Sequence, residues 1–234
     1  SLGGDSDGVL RDHMTADAGD VVKVPDHLTD LEAACLPCAG VTAWSALFDC
    51  GRLQPGETVL IEGTGGVSLF ALAFAKAAGA RVAIVSSSDE KIERAKALGA
   101  DVAVNYKTDP EWGKAIQGLT GGVNLVVEVG GASTLAQALG ALADGGRISQ
   151  VGLLTGIEAQ LPLRLFVPKS ASIQAVLVGG RDRFEAMNRA IHQHRLRPIV
   201  GETFGFAELG KAMQALAAQN HFGKITIDFA RSEE

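Results

Sequence analysis

The chain has 234 residues, 47% of them hydrophobic, enough for one large packed domain or two smaller ones. Its 21 Lys and Arg against 27 Asp and Glu give a formal net charge of -6, with no basic cluster, and it holds one Tyr and two Trp. That balance excludes a nucleic-acid surface and an anionic-membrane surface, which need basic patches or aromatic platforms. Three cysteines are too few for a disulfide framework and fit a reducing, cytoplasmic setting. The opening SLGGDSDGVL has neither the basic region nor the apolar run of a signal peptide, and it lacks an initiator Met, as expected of a piece of a longer chain. The most apolar stretch, VSLFALAFAKAAGARVAIV, is interrupted by Lys76 and Arg81 and does not read as a membrane span.

Residues 9 to 24 contain two short extended segments, VLRDHMTA and VVKVP. Thr29 and Glu32 form a T-x-x-E capping box, so a helix is predicted to begin near Asp30. From residue 57 short β-branched runs alternate with alanine-rich helical patterns. Strands are predicted at 58–63, 81–85, 101–105, 124–129, 147–152 and 172–179, with helices at 66–79 and 89–99, and over PEWGKAIQGLT and TLAQALGALA. The strands are apolar throughout rather than alternating, so both their faces are buried. Right-handed βαβ crossovers then predict a doubly wound α/β fold, a parallel six-stranded sheet in the order 3-2-1-4-5-6. Beyond it, a helix over 183–196 stops before Pro198, a last helix covers about 206–218, and KITIDF forms a final strand. These flanks read as parts of a second domain wrapped around the first.

The sharpest chemical signal is Gly63-Thr64-Gly65-Gly66-Val67-Ser68, in the first strand-to-helix turn. In a dinucleotide fingerprint the first glycine makes the tight turn, the second lets the backbone approach a pyrophosphate, and the third allows close helix packing. Ser68 takes the third place. The helix N-terminus supplies free N–H groups and the positive end of the dipole. A strand-to-helix turn can want glycine for structure alone, but the alternating pattern around this one favours a dinucleotide. An NAD-type site has Asp or Glu at the end of the second strand to hold the ribose 2′-hydroxyl. Here Ser86, Ser87 and Ser88 follow that strand, with Lys91 one helical turn on. Hydroxyl donors and a cation suit a 2′-phosphate, so NADP(H) is favoured over NAD(H), although Asp89 lies close by.

The segments LPCAGVTAWSAL, LQPGETVLIEGTGGVSLFALAFAKAAGA, SSSDEKIERAKALGAD, VVEVGG, GGRISQVG and HFGKITIDF together resemble the medium-chain dehydrogenase/reductase superfamily. Its quinone oxidoreductase-like, alcohol dehydrogenase-related branch fits best, over nearly the whole chain. The resemblance implies a dinucleotide-binding Rossmann domain over 40–180 and part of a GroES-like catalytic domain over 1–39 and 181–234. About the first third of a typical member lies outside these residues. It further implies that Thr42 lies near the nicotinamide ribose, that Val129 and Gly130 line the cofactor groove, and that Val151, Gly152, Leu153 and Val178 hold the carboxamide by their backbone. Ser86, Lys91 and Tyr106 would embrace the adenosine phosphate, and Lys224 would stand near the pyrophosphate.

Cys35 and Cys38 form a C-x-x-C pair. By resemblance, Cys38 matches the third catalytic zinc ligand of zinc-dependent alcohol dehydrogenases, but the other ligands would lie in the missing segment, and a zinc site needs three protein ligands. Structural thiols are the favoured reading, above a remnant ligand or a redox dithiol, so no zinc is expected. The five histidines are scattered, and no catalytic acid or base stands out; Glu128, at a strand end, reads as structural.

The function expected is NADP(H)-dependent hydride transfer to or from an alcohol, aldehyde, quinone or enone, without zinc. The alternatives are a cofactor-binding piece without turnover and a zinc alcohol dehydrogenase completed by the missing segment. The sixth strand is apolar and at the predicted edge, and such edges pair; with the resemblance, this predicts a homodimer through 172–179.

Overall fold

The computed structural model describes residues 2–231. Its centre is a parallel six-stranded sheet: β1 (Thr58–Glu62), β2 (Arg81–Ser86), β3 (Val102–Asn105), β4 (Val123–Glu128), β5 (Leu142–Gln150) and β6 (Ser172–Ala175), in the order β3-β2-β1-β4-β5-β6. This is the doubly wound topology expected from the alternating pattern.

Strand pleating sends successive side chains to opposite faces, and each face has its own core. Val59, Ile61, Val82, Ile84, Leu125 and Val127 pack on one side against helices α1 (Asp30–Cys50) and α2 (Gly66–Ala77). Leu60, Ala83, Val85, Val126 and Ile148 pack on the other, where Trp112 and Ile116 of α4 (Trp112–Thr120) and Ala138 and Leu139 of α5 (Leu135–Ala141) cover them. Helix α3 (Asp89–Ala97) adds Ala95 to the first core. Burying one such Leu, Ile or Val is worth about 1.5–3 kcal/mol. Two-sided burial explains why these strands lack polar alternation.

The capping box that starts α1 is formed: Glu32 N–H donates to Thr29 Oγ1 at 3.3 Å and Thr29 N–H to Glu32 Oε2 at 2.8 Å. Helix α1 is long and apolar because it is a core element. It mixes α-helical and wider π-type turns, and its Leu36, Val41, Ala43, Ala46 and Leu47 are essentially inaccessible.

Several boundaries depart from the sequence expectations. The segments in 9–24 form no strand; they are exposed apart from Val22, with one short turn at Ala18–Asp20. Strand β5 begins at Leu142 and ends at Gln150: Leu142 already pairs with Val123, the ADGG stretch that follows bulges out of register, and pairing with β4 resumes at Arg147 opposite Leu125. Strand β6 ends at Ala175 instead of 179. Val178 turns into the left-handed region at φ 47, and Gly179 lies where a Cβ would stand 2.6 Å from Ser45 Oγ, so the chain bends onto α1 and leaves the sheet. A strand absent from the sequence reading, β7 (Val200–Gly205), pairs in parallel with β8 (Lys224–Asp228). Helix α6 (Arg181–His194) precedes β7, and α7 (Leu209–Ala218) crosses between β7 and β8.

Candidate dinucleotide site

The C-terminal ends of the strands open into a cleft of about 540 Å³. Its floor is the turn between β1 and α2. Gly63 has φ +73, a conformation that excludes ordinary side chains, and its N–H donates to Val85 O at 2.7 Å, tying the turn to β2. A Cβ on Gly65 would meet nothing within 4 Å, so the space above that backbone is open to a ligand. At Gly66 a Cβ would come 2.4 Å from Lys224 Cδ, which lies across the loop. Ser68 explains its place in the third position of the fingerprint: it is buried, and its hydroxyl donates to Glu62 O at 2.7 Å. The unpaired N–H groups of the first α2 turn face a site shaped for phosphate.

Gly63, Thr64, Gly65, Gly66 and Val67 line the cleft, together with Ser86, Ser87, Lys91 and Tyr106 on the β2–β3 side and Val129, Val151 and Gly152 past β4 and β5. Ser88 caps α3, accepting from Lys91 N–H. Lys91 Nζ donates to Gln219 O at 3.2 Å; burial lowers its pKa, and the neighbouring charges of Arg94 and Lys107 push the same way. Asp89, the carboxylate nearest the ribose position by sequence, accepts from Asn105 Nδ2 at 2.8 Å.

The other sequence candidates fall elsewhere. Thr42 is buried within α1. Gly130 is buried behind the wall, and its N–H donates to Glu62 Oε2 at 3.2 Å. Leu153 is exposed while its neighbour Leu154 lines the cleft. Val178 lies in the bend after β6, and Lys224 lines an adjoining apolar cavity of about 90 Å³ that it shares with Gly66.

The sequence reading missed Leu154, Leu216, Gln219 and His221, which complete the wall. His221 stands in HFGKITIDF, where a histidine beside the glycine loop was the available signal. Burial lowers its pKa, assisted by the charge on Lys91. It missed Glu62 as well, although a carboxylate closing an apolar strand is visible in TVLIEG. Glu62 and Glu128 end β1 and β4 and are both buried directly behind the floor.

The thiols do not assemble a metal site. Cys38 is exposed, whereas Cys35 is buried and donates to Leu31 O at 3.3 Å, with burial raising its pKa. Among the described residues no group of three or more His, Cys, Asp or Glu could hold a metal ion, so these residues do not by themselves fit a zinc centre.

Comparison with known proteins agrees with this architecture. The family described as zinc-binding dehydrogenase matches residues 66–193, more than half of the chain. A zinc-type alcohol dehydrogenase-like protein of Schizosaccharomyces pombe is 40% identical over 240 residues, covering 97% of this chain and 68% of its own length. Quinone oxidoreductase-like protein 2 of Bos taurus is 29% identical, covering 93% of this chain and 66% of its own length. A crystal structure of an NAD-dependent alcohol dehydrogenase superposes with a TM-score of 0.92 at 32% identity, covering 98% of this chain and 67% of that one. The chain thus spans about two thirds of these relatives. With its sheet order, glycine turn and cleft, it belongs to the zinc-binding dehydrogenases of the medium-chain dehydrogenase/reductase superfamily, in the alcohol dehydrogenase-like and quinone oxidoreductase-like group.

Proposed function

We propose that the cleft binds NADP(H) and that the whole protein transfers a hydride between that cofactor and an alcohol or aldehyde, a quinone or an enone. Residues 40–180 form the dinucleotide-binding unit, and 1–39 with 181–234 belong to the catalytic domain. The observation that carries the NADP(H) reading is the charge at the end of β2. Ser86 and Ser87 stand where a carboxylate would hold a 2′-hydroxyl, Lys91 lies beside them with Arg94 and Lys107 near it, and Asp89 is engaged by Asn105.

A bound reduced nicotinamide supplies the hydride, and a solvent proton completes the alcohol when a carbonyl is reduced. The chain's part is to bind, orient and exclude water. The α2 N-terminus and the Gly63–Gly66 backbone hold the pyrophosphate, Ser86, Ser87 and Lys91 hold the adenosine end, and Val129, Val151 and Gly152 shape the wall at the other end. We further infer a zinc-independent reaction, as the resemblance to the quinone oxidoreductase-like branch implies. The three free cysteines support a reducing, cytoplasmic setting.

Titration with NADPH and with NADH tests the cofactor choice. Tighter NADPH binding that Lys91→Ala reduces to the NADH level is expected; equal or tighter NADH binding by the unaltered protein overturns it. NAD(H) is the second reading, favoured by the NAD-dependent alcohol dehydrogenase whose structure this chain resembles.

A further inference from the structure

Two carboxyl groups meet behind the glycine loop. Glu62 is 3% exposed and Glu128 is fully buried, at the ends of adjacent strands. Glu62 Oε2 accepts from the N–H groups of Val129 and Gly130, both at 3.2 Å, while Glu62 Oε1 is buried with no donor directed at it. Glu128 accepts from Gly131 N–H at 2.8 Å, from the Thr134 hydroxyl and from the Gln150 amide. The parallel pairing of β1 with β4 sets Ile61 beside Val127, so the next residues, Glu62 and Glu128, end neighbouring strands side by side. Two carboxylates cannot bond to each other without a proton between them, and two buried like charges in contact are strongly unfavourable. Glu128 is already supplied with donors from three groups. The oxygen that lacks one is Glu62 Oε1, which is where a proton belongs.

We propose that Glu62 carries a proton on Oε1 and donates it to Glu128, and that dinucleotide binding at the glycine loop requires this shared proton. The second half rests on the proposed reading of the cleft as a dinucleotide site. Its reason is charge and placement. Glu62 immediately precedes Gly63, so its ionisation would put a second buried negative charge behind the turn that receives a pyrophosphate. The same carboxyl holds the 129–130 backbone, so repulsion from Glu128 would also disturb the turn after β4.

Burial, and next the charge of Glu128, raise the Glu62 pKa well above the ordinary 4.5. The other side chains bonded to the pair do not titrate: the Gln150 amide from β5 and the Thr134 hydroxyl before α5 both donate to Glu128. Lys91, Tyr106 and His221 belong to the β2–β3 side and the 219–221 segment, and the charge that acts on Glu62 is that of Glu128. The sign follows by linkage. If the complex holds the proton more tightly than the free protein, affinity is constant while both keep it. Affinity then falls, by up to about tenfold per pH unit, once the free protein has lost it.

The test has two arms. In the first, infrared spectroscopy of the ligand-free protein looks for a deuterium-sensitive protonated-carboxyl band at neutral pH. Its presence in the unaltered protein and its loss in Glu62→Gln are expected; its absence from the unaltered protein overturns the shared proton whatever the cleft binds. In the second, NADPH affinity is measured against pH. The unaltered protein should weaken as pH rises through the loss of that band. Glu62→Gln, which keeps an acceptor for the 129–130 amides and a donor to Glu128, should bind with affinity flat across the same range. An unaltered-protein affinity that stays flat while the band disappears overturns the linkage. Failure to bind any dinucleotide at a pH where the band is intact overturns the reading of the cleft and the linkage with it, and leaves the proton assignment to stand on the first arm.

Discussion

Three glycines around the cleft are glycines for three different reasons, and the reasons predict different outcomes. Gly63 needs its left-handed backbone, Gly65 has open space above it, and Gly152 is wedged so that a Cβ would lie 1.9 Å from Val129 O. Gly65→Ala should therefore fold with an unchanged melting temperature and lose at least about tenfold in dinucleotide affinity, a difference of about 1.4 kcal/mol, because its methyl occupies the phosphate approach. Gly152→Ala should instead destabilise by about 1–3 kcal/mol through overpacking against backbone. Calorimetric melting paired with cofactor titration separates the two, and a Gly65→Ala protein that binds normally would remove the phosphate role. At this scale the glycine turn was legible because its conformation and its exposed N–H groups restrict the residue type. Glu62 was not, because its partner stands 66 residues later and only the β1–β4 pairing brings the two together.

Among the elements, β6 decides how the sheet ends. Val176 lies beyond the strand, is 8% exposed and belongs to the core, and its N–H donates to Gln150 O at 2.9 Å. Placing Lys or Pro there would damage the fold as well as any partner contact. By the alternation of strand hydrogen bonding, the N–H groups of Ile173 and Ala175 point away from β5, toward the open edge. Ala175 is exposed and carries no core role, so Ala175→Pro removes an outward donor without touching the β5 pairing. If the proposed dimer forms through this edge, sedimentation should show Ala175→Pro as a monomer with normal melting; a persistent dimer places the interface elsewhere. The central strands were readable because burial on both faces writes a continuous apolar run. The ends of β5 and β6 were not, because a register shift and the approach of Gly179 to α1 set them. Strand β7 was missed because its exposed Gly201 and Glu202 dilute the apolar pattern, and its pairing partner β8 lies beyond an intervening helix.

Across the whole molecule, the C-terminal unit closes back on the glycine loop and makes the fingerprint part of a walled cleft. Gly223 N–H donates to Thr64 O at 3.0 Å, Gly65 and Gly223 form a β-bridge, and Lys91 reaches Gln219 O. Phe222 is the anchor: it is 4% exposed, packs into the core beside α2, and lies 3.9 Å beneath the Arg94 guanidinium. The sequence suggested flanks wrapped around the sheet, but it could not show that residues 219–223 would supply a wall, since each contact joins segments more than 100 residues apart. Phe222→Ala should cost about 3–5 kcal/mol by cavity formation, read from denaturant unfolding. Phe222→Leu, which keeps much of the buried surface and loses the cation–π contact, should cost less and still loosen Arg94. Because the same turn carries Gln219 and His221 into the cleft, both variants should also weaken dinucleotide binding at temperatures where they remain folded. Weaker folding with unchanged affinity would mean that the wall stands without its anchor. Unchanged folding would mean that the C-terminal unit is not docked on the loop through Phe222.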